Sequence, residues 1–359
     1  MKKYRVAFIG LAHVHVSQLS KPFNLMTDCY ELVGAADFNV NSEEQQQTHI
    51  SLNVPPWLSD KIWDDYKELL KQDIDIAVIT TDVRDHAAAC EETLAMNIHT
   101  IVEKPMALTM ADAKRMYRAY RRSSAQLLIN WPVAWFPNFN LCKELAESGA
   151  VGKILRVQYR SPATRGPYPL DKFTTQELSK LWWYQNEKGG GSISDYSGYG
   201  CALTTWITGK TAKRVSGMKK NFFLDFSDVE DYSVFCIDFG DSVGLIEGSW
   251  STVNNGHIPT GPIVYGEKGV IVADRYDKEV RVYAKSSAYG VVDTPDEVYV
   301  AEDAPQNVAC NLWEFLSEGK PLHPLVTPEL NMQIMAAFDA GIRSCNTGVT
   351  EYTEDPFQL

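Results

Sequence analysis

Two stretches of this 359-residue chain carry side chains that can handle a hydroxyl group. The run HTIVEKP ends in Glu103-Lys104-Pro105. A lysine at the carboxyl end of a parallel strand faces the crevice in which open α/β sheets bind their ligands. The second stretch is Gly189-Gly190-Gly191-Ser192-Ile193-Ser194-Asp195-Tyr196-Ser197-Gly198-Tyr199, running into CALTTWITG. On a helix, Asp195 and Tyr199 stand at i, i+4 and share one face, so both can reach a single hydroxyl. An ammonium, a carboxylate and a phenol together can hold an alcohol oxygen and move its proton. Each residue also has a plainer reading: Lys104 as a solvated strand cap, Asp195 as a helix N-cap after the glycines, Tyr199 as a buried aromatic.

A third stretch could hold a dinucleotide. The turn after the first strand reads Gly10-Leu11-Ala12-His13-Val14-His15, which keeps only the first glycine of a G-x-G-x-x-G fingerprint. Ala12 still permits a fairly close pyrophosphate approach, whereas His15 must loosen the helix–strand packing. The strand YELVGAAD ends in Asp37, placed to accept from the adenosine ribose hydroxyls and to repel a 2′-phosphate. That favours NAD and leaves NADP possible. His13 and His15 at i, i+2 also suggest a metal, but no third ligand with plausible spacing is evident, so none is expected.

These residues need a scaffold. Over the first 130 residues, YRVAFIG (4–10), YELVGAAD (30–37), IDIAVITT (74–81), HTIVEKP (99–105) and QLLIN (126–130) read as strands. Helical stretches lie between them at 42–52, 61–72, 86–97 and from Thr109-x-x-Asp112 to about Arg122. Pro22 limits or kinks the helix after the first strand. Such alternation means βαβ units and a doubly wound parallel sheet of the Rossmann kind, with five strands named against the six of that fold. Beyond residue 130 the pattern changes. A helix at 138–149 and the strand ILRVQYR (154–160) precede the glycine run. Then strands crowd together from RVSGMKKNFF to EVYVAED, which argues for a large, mainly antiparallel sheet with flanking helices. The fold class is therefore α/β plus α+β, with a dinucleotide domain at 1–128 and a substrate and oligomerisation domain at 129–359.

The composition suits this: 45% hydrophobic and 22% charged residues, with a net charge of -12. The acidic balance disfavours nucleic acid and anionic membrane as partners. No apolar run approaches a membrane span, and MKKYRVAFIG reads directly as a strand, so a cytoplasmic location is expected. Seven scattered cysteines, never paired as C-x-x-C, read as reduced thiols. Aromatics gather near the chemistry: Trp131 and Trp135 on one side, Tyr168, Trp182, Trp183 and Tyr184 before the glycines. Flat rings stack on the apolar faces of sugars, although a packed core is an equal reading. His257 could line the same pocket or lie on a loop surface.

A strand ending in E-K-P, then a small apolar residue and L-T, resembles a signature of the glucose-fructose oxidoreductase/inositol dehydrogenase/MocA family. So does the glycine run with Asp195 and the helix end Trp206-Ile207-Thr208-Gly209. The family usually has His where Tyr199 stands; the glucose-fructose oxidoreductase branch is similar in using Tyr. Thr80, Thr81 and His86 resemble the family's loop after the fourth strand, and Phe136 to Lys153 resembles its inter-domain segment, here with Ala134 and Trp135 where a basic residue is common. The resemblance implies reversible hydride transfer between a sugar or polyol secondary alcohol and NAD(P). Lys104 would anchor and activate the substrate, Asp195 would orient it, and Tyr199 would shuttle the proton with its pKa lowered by Lys104. Trp131 and Trp183 would contact the substrate, and Gly10, Ala12, His13, His15, Asp37, Thr80, Thr81, His86, Glu103 and Lys104 the cofactor. It also implies a homo-oligomer, dimer or tetramer, through the second sheet. Relatives that bind without turnover, as sensors, and enzymes for a dihydrodiol or pyrrole-type substrate remain alternatives.

Overall fold

The computed structural model describes residues 3–163, 166–168, 171–253, 258–284, 294–303 and 306–359; His257 lies outside them. The first sheet contains β1 (Tyr4–Ile9), β2 (Tyr30–Ala36), β3 (Ile62–Trp63), β4 (Ile76–Ile79), β5 (His99–Glu103) and β6 (Leu127–Asn130). Their order is β3-β2-β1-β4-β5-β6 and every pairing is parallel, the Rossmann arrangement. Residues of β4 and β6 are buried throughout, as strands covered on both faces must be. Helices α1 (Val16–Leu25), α2 (Glu43–Asn53), α3 (Tyr66–Leu70), α4 (His86–Ala95) and α5 (Met110–Arg122) connect these strands. Thr109 caps α5 by accepting from the Asp112 amide. Pro22 stays inside α1 near its end.

The sixth strand comes from a segment whose pattern predicts helix. Within 61–72, Ile62–Trp63 pair with Ala35 and Ala36 instead, and the helix shrinks to α3, capped by Asp65. A glycine explains the difference. Gly34 leaves room for Trp63, whose indole nitrogen would lie 2.6 Å from any Cβ at that position. Packing against a neighbouring strand overrides a short helical period.

The second half forms α6 (Pro137–Glu147), β7 (Ile154–Pro162), α7 (Thr175–Ser179), α8 (Gly198–Thr208), β8 (Arg214–Lys220), β9 (Tyr232–Asp238), β10 (Val243–Ser249), β11 (Ile263–Gly266), β12 (Gly269–Ala273), β13 (Glu279–Ala284), β14 (Glu297–Val300), α9 (Val308–Glu318), α10 (Pro328–Thr347) and β15 (Glu351–Tyr352). The sheet order is β14-β13-β12-β11-β7-β10-β9-β8-β15, antiparallel except between β7 and β10. Helices α8 and α10 cover its inner face. Val308, Ala309 and Leu312 of α9 pack with β1, β2 and α1 of the first domain, so this late helix closes the outer layer of the Rossmann unit. Among the described residues, no helix is long and apolar enough to cross a membrane.

Candidate functional site

Lys104 follows β5 directly, and the glycine run brings Asp195 to it from the other domain. Lys104 Nζ donates to Asp195 Oδ1 at 2.9 Å and to the Asp195 carbonyl at 3.2 Å, with only 1% of the lysine exposed. Trp250, at the end of β10, donates its indole N–H to Asp195 Oδ2 at 2.8 Å. Both carboxylate oxygens are thus fixed, and one N–H of the ammonium is left for another partner. Residues 193–197 form a π-helical turn before α8, and π-turns interrupt helices most often at functional sites. The glycine before it is required: Gly191 has φ +101, and a Cβ there would fall 2.3 Å from Glu230 Oε1. Glu230 in turn accepts from the Ile193 amide at 2.9 Å.

Tyr199 meets Lys104 differently from the sequence expectation. The ammonium stands 4.7 Å from the centre of the phenol ring, a cation–π contact. Burial, reinforced by the negative charges of Glu103 and Asp195, holds the Tyr199 hydroxyl well above its usual range. The expected lowering by Lys104 does not occur, because the cation faces the ring while acidic groups and a dry core surround the residue. Trp131 backs the same ring edge-on at 5.6 Å and spends its indole N–H on Asn331 at 2.7 Å. It supports Tyr199 from the core. Trp135 sits farther off, edge-on to His323.

The turn after β1 retains the geometry of a phosphate loop. Gly10 has φ +89, and a Cβ there would clash with the Thr81 backbone nitrogen at 2.6 Å. Thr80 donates its hydroxyl to the Gly10 carbonyl at 2.6 Å, and Thr81 to the Asp82 carbonyl at 2.8 Å. Asp37 follows β2 as expected, but its oxygens are already engaged. Oδ1 accepts from the Leu11 and Phe38 amides at 3.0 Å, and Oδ2 accepts from His49 Nδ1 at 2.5 Å. A cavity of about 620 Å³, lined by His49, Thr48, Gln45, Leu181 and Lys188, opens beside this pair. Ala12 is covered: its carbonyl accepts from the Trp182 indole at 2.9 Å and from Asn53 at 3.1 Å. The Gly10 cradle and Asp37 at the end of β2 fit a dinucleotide, which would meet Trp182 and His49 on entry. His86 opens α4, but it donates Nδ1–H to the Pro105 carbonyl at 3.0 Å and so braces the lysine loop.

His13, His15 and Glu103 meet between the turn and the lysine. His15 Nδ1 donates to Glu103 Oε1 at 2.9 Å, and Asn130 donates to Oε2 at 2.9 Å. Burial pushes the Glu103 carboxyl up, but His15, Lys104 and Asn130 outweigh it and hold it below its usual value. His15 points across to β5, which is how helix α1 tolerates it in place of glycine. Potential ligand atoms of the three residues lie within 4.8 Å of one another. Glu103 is the third group that local spacing cannot reveal.

Trp183 forms the roof, stacked on Trp182 at 4.0 Å, 4.8 Å from the His13 ring and 5.9 Å from Lys104 Nζ. The structure therefore unites Lys104, Asp195, Tyr199, Trp183, His13, His15 and Glu103, while Trp131 and His86 stand behind them. Sequence reasoning missed Trp250, His49, Asn53 and Asn130. Each acts through hydrogen bonds to residues distant in sequence, three of them at Asn53, and only Trp250, a polar-tipped aromatic beside Ser249 at a strand end, carried a visible hint.

Comparison with known proteins agrees with this architecture. Residues 4–131 match the profile described as oxidoreductase family, NAD-binding Rossmann fold, and residues 139–272 match the GFO/IDH/MocA C-terminal domain. An inositol 2-dehydrogenase of Salmonella typhimurium (strain LT2) is 25% identical over 135 residues, 35% of this chain and 40% of that protein. The 1-carboxy-3-chloro-3,4-dihydroxycyclohexa-1,5-diene dehydrogenase of Comamonas testosteroni is 28% identical over 151 residues, 42% of this chain and 36% of that protein. The matched region spans less than half the length of these curated relatives. Among solved structures, the aldose-aldose oxidoreductase of Caulobacter crescentus, complexed with glycerol, has a TM-score of 0.74 at 20% identity, covering 98% of this chain and all 100% of that one. The WlbA dehydrogenase of Bordetella pertussis, in complex with NADH and UDP-GlcNAcA, has a TM-score of 0.75 at 20% identity, covering 99% and 100%. With both halves matched in order, the chain belongs to the Gfo/Idh/MocA family of oxidoreductases, and its first domain is that family's NAD-binding Rossmann fold.

Proposed function

We propose that the protein is an NAD-dependent dehydrogenase of a secondary alcohol on a sugar-like or polyol substrate. The observation that carries the reading is the buried Lys104–Asp195 pair at the carboxyl end of β5. A bound nicotinamide supplies the hydride acceptor. Lys104 holds the substrate oxygen with its free N–H and stabilises the negative charge that develops there. The hydroxyl proton passes to Lys104 as the lysine gives one of its own to Asp195 Oδ1, and Trp250 holds the other carboxylate oxygen in register. Tyr199 serves as a platform that positions the ammonium, not as the base. Asp37 accepts from the adenosine ribose once His49 yields, which favours NAD over NADP.

Binding without turnover is the second reading, supported by the Trp182 indole closing over the Ala12 carbonyl. One experiment separates the two. Tryptophan fluorescence is titrated with NADH and NADPH, and nicotinamide absorbance is then followed with a panel of sugars, polyols and dihydrodiols. Saturable quenching by NADH in preference to NADPH, with turnover lost in Lys104→Ala, supports the dehydrogenase. Binding with no turnover on any substrate class leaves the sensor, and failure of both dinucleotides to bind overturns the cofactor assignment.

The outer face of the second sheet also supports a homo-oligomer. Met218 pairs with Val234, and Cys236 with Leu245, around a depression of about 460 Å³. Contiguous apolar surface of this kind is usually covered.

A further inference from the structure

His13 stands at a position that the phosphate turn leaves free to vary, and its ring is fully buried. Its two nitrogens are unequal. Nδ1 accepts the backbone N–H of His15 at 3.0 Å, so the lone pair there is engaged and a neutral ring must carry its proton on Nε2. Nε2 is buried and has no hydrogen-bond partner among the described residues. An unpaired buried donor costs about 1–3 kcal/mol, so such a group is expected to have a purpose. The ring is clamped between His15 at 4.5 Å and Trp183 at 4.8 Å, and Trp183 also faces Lys104.

The same bond argues against a cation held by His13, His15 and Glu103. A metal would need the Nε2 lone pair, which shifts the proton to Nδ1 and sets N–H against the N–H of His15. The remaining pair, His15 and Glu103, is satisfied by its own hydrogen bond. What the fold builds at His13 is a donor.

Resting on the dehydrogenase reading above, we propose that His13 Nε2–H is a second donor to the reacting oxygen of the substrate, completing with Lys104 a two-point cradle for the developing alkoxide. Burial, and then the nearby His15, Lys104 and His86, hold the imidazole well below its ordinary pKa. It therefore stays neutral through the physiological range, a pattern in which neutral imidazole polarises a carbonyl without becoming an acid. In the oxidation direction the C–H electron pair leaves as hydride to the nicotinamide. Lys104 gives one proton to Asp195 and takes up the hydroxyl proton, and the oxygen becomes a carbonyl held by the restored ammonium and by His13. His13 neither gains nor loses a proton.

The test has two arms. In protein labelled with ¹⁵N-histidine, long-range ¹H–¹⁵N correlation should show one ring as the neutral Nε2–H form from pH 5 to 8, and that signal should vanish in His13→Gln. An Nδ1–H or cationic pattern overturns the proposal, as does a pattern changed by one equivalent of Zn²⁺; this arm needs no turnover. With the best substrate from the panel, His13→Phe should lower kcat/KM about 100-fold with the NADH Kd within 3-fold of wild type. His13→Gln, whose amide N–H replaces Nε2–H, should recover at least 10-fold of that loss. A loss carried by the NADH Kd makes His13 a cofactor contact and overturns the proposal. If wild type turns over nothing while the tautomer is as expected, the dehydrogenase reading fails and the fixed donor stands.

Discussion

Lys104 and Tyr199 meet face to charge: the ammonium lies 4.7 Å from the centre of the phenol ring. A lysine held this way cannot draw the hydroxyl proton toward ionisation, and the surrounding acids push the other way. In the dehydrogenase proposed above, the proton path therefore runs through Asp195.

Tyr199→Phe keeps the ring and should keep kcat/KM within about 3-fold, whereas Tyr199→Ala removes the platform and should lose at least about 10-fold, a cation–π contact in a desolvated site being worth ~2 kcal/mol. Steady-state kinetics at saturating NAD checks this. A loss of 100-fold or more in Tyr199→Phe would restore the phenol as the base.

Asp195→Ala leaves Lys104 buried without a counter-charge, which should cost about 3–5 kcal/mol of stability in urea unfolding. Adding Lys104→Met should return most of the stability and none of the activity. Equal stability of the single and double variants would mean that water already screens the lysine.

His49→Ala frees Asp37 Oδ2, which His49 now occupies at 2.5 Å. NADH should then bind a few-fold tighter, by roughly the net 1 kcal/mol of one hydrogen bond. Asp37→Asn keeps the acceptor for the Leu11 amide but loses the charge, so the preference for NADH over NADPH should shrink about tenfold, the equivalent of ~1.4 kcal/mol. Fluorescence titration of both variants decides; unchanged ratios would place the ribose elsewhere.

Glu230 gives the fold a pH dependence. Burial raises its carboxyl to about 7, the Ile193 amide only partly opposing. The folded state thus binds this proton more tightly than the unfolded chain does. The stabilisation is complete below the unfolded carboxyl pKa of roughly 4.3 and is lost as pH rises through about 7, amounting to about 4 kcal/mol. Urea unfolding between pH 4.5 and pH 8 should show this slope in wild type and a flatter one in Glu230→Gln. Identical slopes would assign the effect to another group.

Met218→Asp with Leu245→Asp places charges across the outer sheet face and should convert the proposed oligomer to monomer in light scattering coupled to size exclusion. An unchanged mass would move the interface elsewhere.

The two-domain plan was legible because period-2 and period-3.6 patterns are local, and so were the Gly10 turn and the ends of β2 and β5 that carry Asp37 and Lys104. The E-K-P and glycine-run motifs pointed to the family for the same reason: each is a short run whose backbone demands are written in its own residues. Segment 61–72 was misread because two residues gain more from pairing beside Gly34 than from a helical turn. Tertiary structure alone decided what each polar group touches. It set His49 on Asp37, Trp182 on Ala12, Trp250 on Asp195, and Glu103 beside two histidines 88 and 90 residues earlier in the chain. Hydrogen bonds, burial and the direction of a pKa depend on neighbours within a few ångströms in space, and those neighbours are fixed only when distant segments pack.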